Sequence, residues 1–370
     1  MTILWLNWRD IKNPTAGGAE VMTHETTKRL AKAGHKVTIL TSKSPNSKDE
    51  EVIDGVRIIR RGNRLTCRFW AFLSYLTKFK GKVDVVIDEI NTIPFFTNLY
   101  VKEEKVALIH QLAKEYWWSE TFFPVSLVGF LLEPFYLKLY RNMPTIVASE
   151  STKKDLKKLG FRKVFVFHQG LSLTPLTKLP QKPKKPQILF IGRLTKPKGP
   201  KDAVLAFVRI KKEFKTSKLT MCVRGSESAI NKLKNLIKNL KLEDCTDIFG
   251  SIDLKRKLKL LEKTHLILIP SLREGWGLVA IEANAFGAVP IGYNVGGLCD
   301  SIQDGKTGIL CKENNPFEMA NAAISLLSNQ KLYQKLASSG LLWSKRFNWD
   351  KTDKSFLEIL REVCPIPSNG

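Results

Sequence analysis

Acidic residues are scarce in this chain. Its 370 residues hold 35 Asp and Glu against 60 Lys and Arg, a formal charge of +25. A balance this basic calls for a partner: nucleic acid, an anionic membrane surface or a phosphorylated substrate. Cysteine is also sparse, with six residues in no Cys-x-x-Cys pair and at no regular spacing. That excludes a disulfide framework and a zinc site, and it fits a reducing cytoplasm. The five histidines show no metal-ligand spacing and no Asp-x-Asp motif is present, so no metal is expected. There is no full Gly-x-Gly-x-x-Gly fingerprint and no Walker loop. The apolar run Phe122–Leu132 spans eleven residues and is interrupted by Pro124; crossing a bilayer takes about 20. Met1–Asn7 reads as a strand and lacks the charged start and cleavage site of a secretion signal. No short repeats are found.

What is present is a steady alternation of short apolar runs with longer amphipathic ones. A chain of this length, 43% hydrophobic, is expected to form two domains with full cores. Ile3–Asn7, Val37–Thr41 and Val83–Asp88 read as strands, with a helix over Gly18–Ala33 stopped by Gly34. The pattern restarts at Gln187–Ile191, followed by a helix through about Phe214 and strands at Leu219–Val223, Leu266–Ile269 and Val289–Gly292. Such βαβ succession predicts parallel sheets. Between the halves, Pro175–Pro186 carries four prolines and four lysines and no acid, so it reads as the linker. The expected organisation is residues 1–178 as one α/β domain, 187–345 as a second, and 346–370 as a helix returning to the first. The fold class is α/β, with a cleft between the carboxyl ends of the two sheets.

Chemistry concentrates at strand ends. The segment Ser271–Gly287 follows an apolar strand and sets Glu274 and Glu282 eight positions apart, with Gly275, Trp276 and Gly277 between. Carboxylates accept from paired sugar hydroxyls, and the N–H groups of Leu278 and Val279 at a helix start suit phosphate oxygens. Upstream, Gly192 and Arg193 end a strand and Lys198 follows; a guanidinium and an ammonium together neutralise a leaving diphosphate. Gly17 and Gly18 precede a helix, where bare backbone and the helix dipole favour an anion, although an ordinary glycine turn has the same sequence. His110 ends an apolar run and either faces the cleft or serves the core. The stretch from Tyr116 to Tyr140 holds nine aromatics in 25 positions; it reads as buried helices or as a segment lying in a membrane interface.

In order, Gly17-Gly18-Ala-Glu20, His110, Ser149-Glu150-Ser151, Gly192-Arg193-Leu with Lys198-Gly199, Pro270-Ser271 through Glu282 to Gly287, and Gly296-Gly297 with Asp304–Gly308 resemble glycosyltransferase family 4 over nearly the whole chain. The resemblance implies a GT-B fold, two Rossmann-like β/α/β domains facing a central cleft. It also implies metal-free, retaining transfer of a sugar from a nucleotide sugar, UDP- or GDP-linked, to an acceptor hydroxyl. By that similarity Arg193 and Lys198 bind the diphosphate, Glu282 the ribose and Glu274 the sugar. His110 lies near the transferred sugar, Gly17 and Gly18 close on the diphosphate, and Gly250, Ser251 and Ile252 border the base. His168-Gln169-Gly170 departs from the Asn-Gly of many relatives. The implied partner is an acceptor glycan or lipid-linked glycan, while the aromatic stretch and the net charge allow an anionic membrane surface at the cytoplasmic face as a further one. Lysines outnumber arginines and are spread along the chain, unlike sequence-specific DNA readers, so nucleic acid is not expected. A nucleic-acid binder, a sugar-nucleotide epimerase and a phosphorylase stand as the alternatives.

Overall fold

The computed structural model describes residues 1–114, 117–118 and 123–364. Tyr116 and Phe122 of the aromatic stretch lie outside the described residues. The chain divides into two compact units, each with its own sheet.

The first unit holds the described residues of Met1–Gly170 and takes the chain back from Trp349. Its elements are β1 (Thr2–Leu6), α1 (Gly18–Lys32), β2 (Lys36–Thr41), β3 (Glu50–Ile53), β4 (Val56–Arg60), α2 (Cys67–Ser74), β5 (Val85–Ile90), α3 (Thr97–Tyr100), β6 (Glu104–Ile109), α4 (Val125–Lys138), β7 (Thr145–Val147), α5 (Glu150–Lys158) and β8 (Val164–Val166). Eight strands lie in the order β3-β4-β2-β1-β5-β6-β7-β8. All neighbouring pairs are parallel except β3–β4. That antiparallel excursion was not foreseen. It turns at Asp54-Gly55, both with positive φ, and is pinned from below by Arg60, which is fully buried and reaches Asp10 at 2.6 Å and Glu51 at 2.6 Å.

Alternation along the strands assigns the two faces. Ile3, Trp5, Val85, Ile87, Val106 and Leu108 share one core with α1, while Leu4, Leu6 and Val86 join another with α2. Ile90, Ala107 and Ile109 continue the second face under α4 and α5. The buried apolar strands fit a sheet covered on both sides.

The second unit is Leu171–Asn348. It contains β9 (Gln187–Arg193), α6 (Pro200–Glu213), β10 (Lys218–Arg224), α7 (Glu227–Asn239), β11 (Thr246–Phe249), α8 (Leu254–Lys263), β12 (Leu266–Ile269), α9 (Leu278–Ala285), β13 (Val289–Gly292), α10 (Gly296–Ser301), β14 (Ile309–Leu310), α11 (Pro316–Ser328) and α12 (Gln330–Ser344). Its six strands run β11-β10-β9-β12-β13-β14, every neighbouring pair parallel.

Residues 171–178, read from sequence as the end of the first domain, pack with the second unit. Leu171 donates its N–H to Phe347 O at 2.8 Å, and Leu176 to Ala285 O at 3.0 Å. Pro175–Pro186 is therefore a strap along the second unit, held by backbone bonds that proline content does not reveal. The last helix, α13 (Trp349–Val363), packs in the first unit, where Phe356 stacks on Trp5 at 5.8 Å and meets Phe167 at 4.9 Å. Gly170 admits this return: a Cβ there would lie 2.5 Å from the Trp349 ring.

Candidate active site

In the first unit, polar side chains gather past the carboxyl ends of β1, β5 and β6. Glu89 on β5 is fully buried and points to the α1 face, sharing its parity with Val85 and Ile87. It accepts from Trp5 Nε1 at 2.6 Å, Thr23 Oγ1 at 2.7 Å and His110 Nε2 at 2.9 Å. A buried carboxylate needs such donors, since stripping it of water without them costs several kcal/mol, roughly. With Nε2 committed to Glu89, the His110 imidazole is fixed in orientation and its Nδ1 is left as the second polar edge. Asn7 and Asn91 meet nearby, Asn91 Nδ2 donating to Asn7 Oδ1 at 3.1 Å. The Nδ2 of Asn7 is buried without a protein partner among the described residues.

Gly17 and Gly18 stand at the start of α1. The Gly17 N–H is taken by Glu20 Oε2 at 2.6 Å, and Arg9 holds the other Glu20 oxygen at 2.9 Å. Gln169 Nε2 donates to Gly18 O at 3.3 Å. The loop is thus built around an ion pair between buried Glu20 and half-buried Arg9, and the anion that the Gly17 N–H meets is the Glu20 carboxylate.

In the second unit the sequence motifs converge. Gly192 and Arg193 end β9, and Arg193 lies in register with Arg224 at the end of β10. The chain then turns through Lys196–Lys198 to Gly199, whose φ is +63°. A Cβ at Gly199 would fall 2.2 Å from Pro270 O, so only glycine lets this turn press on the end of β12. Leu272 N–H closes the contact on Pro197 O at 2.8 Å. That approach sets Lys198 Nζ 2.5 Å from Glu274 Oε1, which also accepts from Ser271 Oγ at 2.8 Å. Gly297 N–H donates to Glu274 O at 3.0 Å, fixing the loop from the other side; a Cβ on Gly297 would collide with Gly275 at 2.4 Å.

Gly277 then adopts φ +86° and caps α9, so Leu278 and Val279 occupy its first turn with their N–H groups outside the helical ladder. One turn on, Glu282 meets Lys257 Nζ of α8 at 2.6 Å. Gly250, Ser251 and Ile252 follow β11 before α8, beside Phe249, which carries the Arg256 guanidinium 4.0 Å above its ring. Trp276 is different. Its indole is 5% exposed and meets the Phe347 ring edge-on at 5.2 Å, so this side chain belongs to the core and only its backbone borders the loop.

Three partners escaped the sequence reading. Glu89 left a trace, since Asp88-Glu89 is an acidic pair inside a strand buried at every position. Lys257 is one lysine among several in α8, and Ser271 opens its segment with nothing in the sequence to mark a role. Among the described residues no group of three or more His, Cys, Asp or Glu could hold a metal ion.

Residues 16–174 match the family model for Glycosyltransferase Family 4, and residues 176–343 match that for Glycosyl transferases group 1. The chain belongs to glycosyltransferase family 4. As a family 4 chain it is 30% identical over 184 residues to the D-inositol 3-phosphate glycosyltransferase of Paenarthrobacter aurescens, a match covering 49% of this chain and 45% of that protein. It therefore spans about half the length of that curated relative. Sucrose-phosphate synthase from Thermosynechococcus elongatus shares the fold with a TM-score of 0.82, at 20% identity over 98% of both chains. Anabaena HepE, solved with UDP-glucose, has a TM-score of 0.73 at 15% identity over 98% of this chain and 100% of that one. The fold class is GT-B, two α/β domains with parallel sheets.

Proposed function

We propose that this chain is a retaining glycosyltransferase. It moves a sugar from a nucleotide diphosphate sugar, UDP- or GDP-linked, to a hydroxyl of a glycan or lipid-linked glycan, without a metal. The pathway class is glycolipid, lipid-linked oligosaccharide or polysaccharide assembly. The observation that carries this reading is the Lys198–Glu274–Ser271 constellation at the end of β12, one turn ahead of the Lys257–Glu282 pair.

Each pair joins a cation suited to phosphate with a carboxylate suited to a diol. A diphosphate arriving at Lys198 competes with Glu274 for the ammonium and turns the carboxylate toward sugar hydroxyls. Arg193, at the end of β9, adds a planar two-point donor to the same phosphates. Leu278 and Val279 contribute N–H groups at a helix start. Departure of the nucleotide leaves new negative charge on the β-phosphate, and fixed cations stabilise it most where water is displaced. The leaving phosphate then accepts the acceptor proton on the same face of the sugar, which retains the anomeric configuration. His110, oriented by Glu89, holds a sugar hydroxyl. HepE crystallised with UDP-glucose supports a UDP-sugar as the first donor to try.

The test is Arg193→Ala assayed with UDP- and GDP-sugars. Loss of a donor to the transition state is expected to lower kcat/KM by about 10²-fold or more, roughly 3 kcal/mol. Turnover equal to wild type would remove Arg193 from the mechanism, and a trapped covalent glycosyl-enzyme would replace the same-face route.

A further inference from the structure

Helix α4 (Val125–Lys138) is built inside out. The positions it turns inward are Ser126, Gly129, Glu133 and Leu137, spaced as one helical stripe. Three of the four are small or charged. Glu133 is 5% exposed and spends both carboxylate oxygens on backbone donors, Ala113 N at 2.6 Å and Lys114 N at 2.7 Å. Gly129 is there because Trp117 lies flat against it; a Cβ would come within 2.2 Å of the indole. The outward positions carry the apolar side chains: Val128, Leu131, Leu132, Phe135 and Leu139 are 51%, 54%, 51%, 64% and 52% exposed. A helix whose polar and small residues satisfy the domain while its large apolar ones face outward has the reverse of a surface helix's polarity.

The outward apolar face does not stop at α4. Asn98 Nδ2 of α3 donates to Leu139 O at 3.2 Å, and Phe72 of α2 packs edge-on against Tyr100 at 5.0 Å. Along α2 and its continuation, Phe69, Trp70 and Leu76 are exposed as well. These helices cover the same face of the sheet, the one formed by Leu4, Val86 and Ile90. The result is a band of exposed apolar side chains on three neighbouring helices, where an ordinary domain surface carries such residues singly.

Charge decides what covers it. From Arg61 to Val83 there is no Asp or Glu, while Lys78, Lys80 and Lys82 stand exposed just past α2. At the other end Lys138 Nζ lies 5.7 Å from the centroid of the exposed Phe135 ring. The acids around it already have partners: Glu103 is engaged by Tyr75 and the Gly81 N–H, Asp84 accepts the Thr2 N–H at 2.6 Å, and Glu50, close enough to feel the Lys78 charge, is held by Arg57 at 2.5 Å. Apolar side chains rimmed by exposed lysines match acyl chains beneath anionic headgroups. A second copy of this chain would meet the same lysines with its own.

We propose that the band formed by α2, α3 and α4 docks the protein on an anionic membrane surface. Phe135, Leu131 and Leu132 enter the headgroup–acyl boundary, and Lys78, Lys80 and Lys82 pair with lipid phosphates. No helix among the described residues is long and apolar enough to cross a membrane, so the attachment is peripheral.

The experiment is sedimentation of the full chain with phosphatidylcholine vesicles, with and without phosphatidylglycerol, across a salt series. No sugar donor is present, so the outcome is separate from the catalytic reading. The wild type is expected to pellet with the anionic vesicles and to be released as salt rises. Lys78→Ser, Lys80→Ser and Lys82→Ser together are expected to weaken partitioning on the order of 10²-fold. Leu131→Ser with Phe135→Ser should weaken it comparably while the melting curve is unchanged, since both side chains are exposed. No pelleting at low salt, equal pelleting with neutral vesicles, or full binding by both variants overturns the proposal. So does a concentration-dependent dimer that dissociates when Leu131 and Phe135 are replaced, which would make the band a contact between copies.

Discussion

Lys198 and Glu274 touch, and the proposed reaction gives them different work. There the ammonium answers phosphate charge and the carboxylate answers hydroxyls, with Ser271 donating to the carboxylate at 2.8 Å. Replacing each separates the roles. Lys198→Met is expected to weaken UDP itself and to lower kcat/KM by about 10²–10³-fold. Glu274→Gln should leave the affinity for UDP alone nearly unchanged and lower kcat/KM for the sugar donor by about 10²-fold, an amount typical of one lost transition-state contact. Calorimetry with UDP beside steady-state kinetics distinguishes them; equal loss of UDP binding in both variants would defeat the division of labour. Because the two side chains touch, the double variant should cost less than the sum. Glu274 and Lys198 were legible because glycines and strand ends surround them in sequence. Glu89 and Lys257 were not. Each acts by meeting a residue on another element, and spacing along one segment carries no record of that meeting.

At the level of elements, periodicity located strands that are buried on both faces, such as Leu266–Ile269 and Val85–Ile90. It missed β3 and β4, which pair outside the βαβ pattern and depend on the buried Arg60. It also misjudged the strap at Pro175–Pro186. There Lys182 Nζ donates to Glu262 O and Phe286 O, both at 2.8 Å. These are carbonyls at the ends of α8 and α9, where the helical ladder leaves acceptors unfilled and a cation is favoured. Burial pulls the Lys182 ammonium down to about 7. Beside it, His265 Nδ1 accepts the Gln187 N–H at 3.1 Å. Burial first, and the Lys182 charge second, hold His265 down at about 4. The sign follows from the ordinary imidazole value near 6.5. Above that pH both folded and unfolded His265 are neutral. As pH falls from about 6.5 toward about 4 the unfolded chain takes up the proton and the folded one does not, so stability is lost across that window. The loss amounts to at most about 3 kcal/mol. His265→Asn keeps an acceptor for Gln187 and removes the titration. Its melting temperature should fall less steeply between those pH values than that of wild type, and parallel curves would show that His265 is not responsible.

For the whole molecule, the cores are built from an interrupted chain. The second unit's buried cluster runs from Ile188 to Ala337 with Leu179 packed against it, whereas the α1-face core of the first unit takes Phe356, Ile359 and Leu360 from the far end of the sequence. The last helix therefore follows the second unit in order yet supports the first in energy. Phe356 is fully buried between Trp5 and Phe167. Truncating it to alanine removes a ring from close packing and is expected to cost about 3–5 kcal/mol. Where that cost appears is the informative part. Amide hydrogen exchange in Phe356→Ala should quicken along β1 and β5, which share its core, while β9 and β10 keep their protection. A domain map drawn from sequence order alone would place the damage in the unit that ends at Asn348. Uniform loosening of all four strands would mean that the two cores melt as one, and the division into units would then describe packing without describing stability.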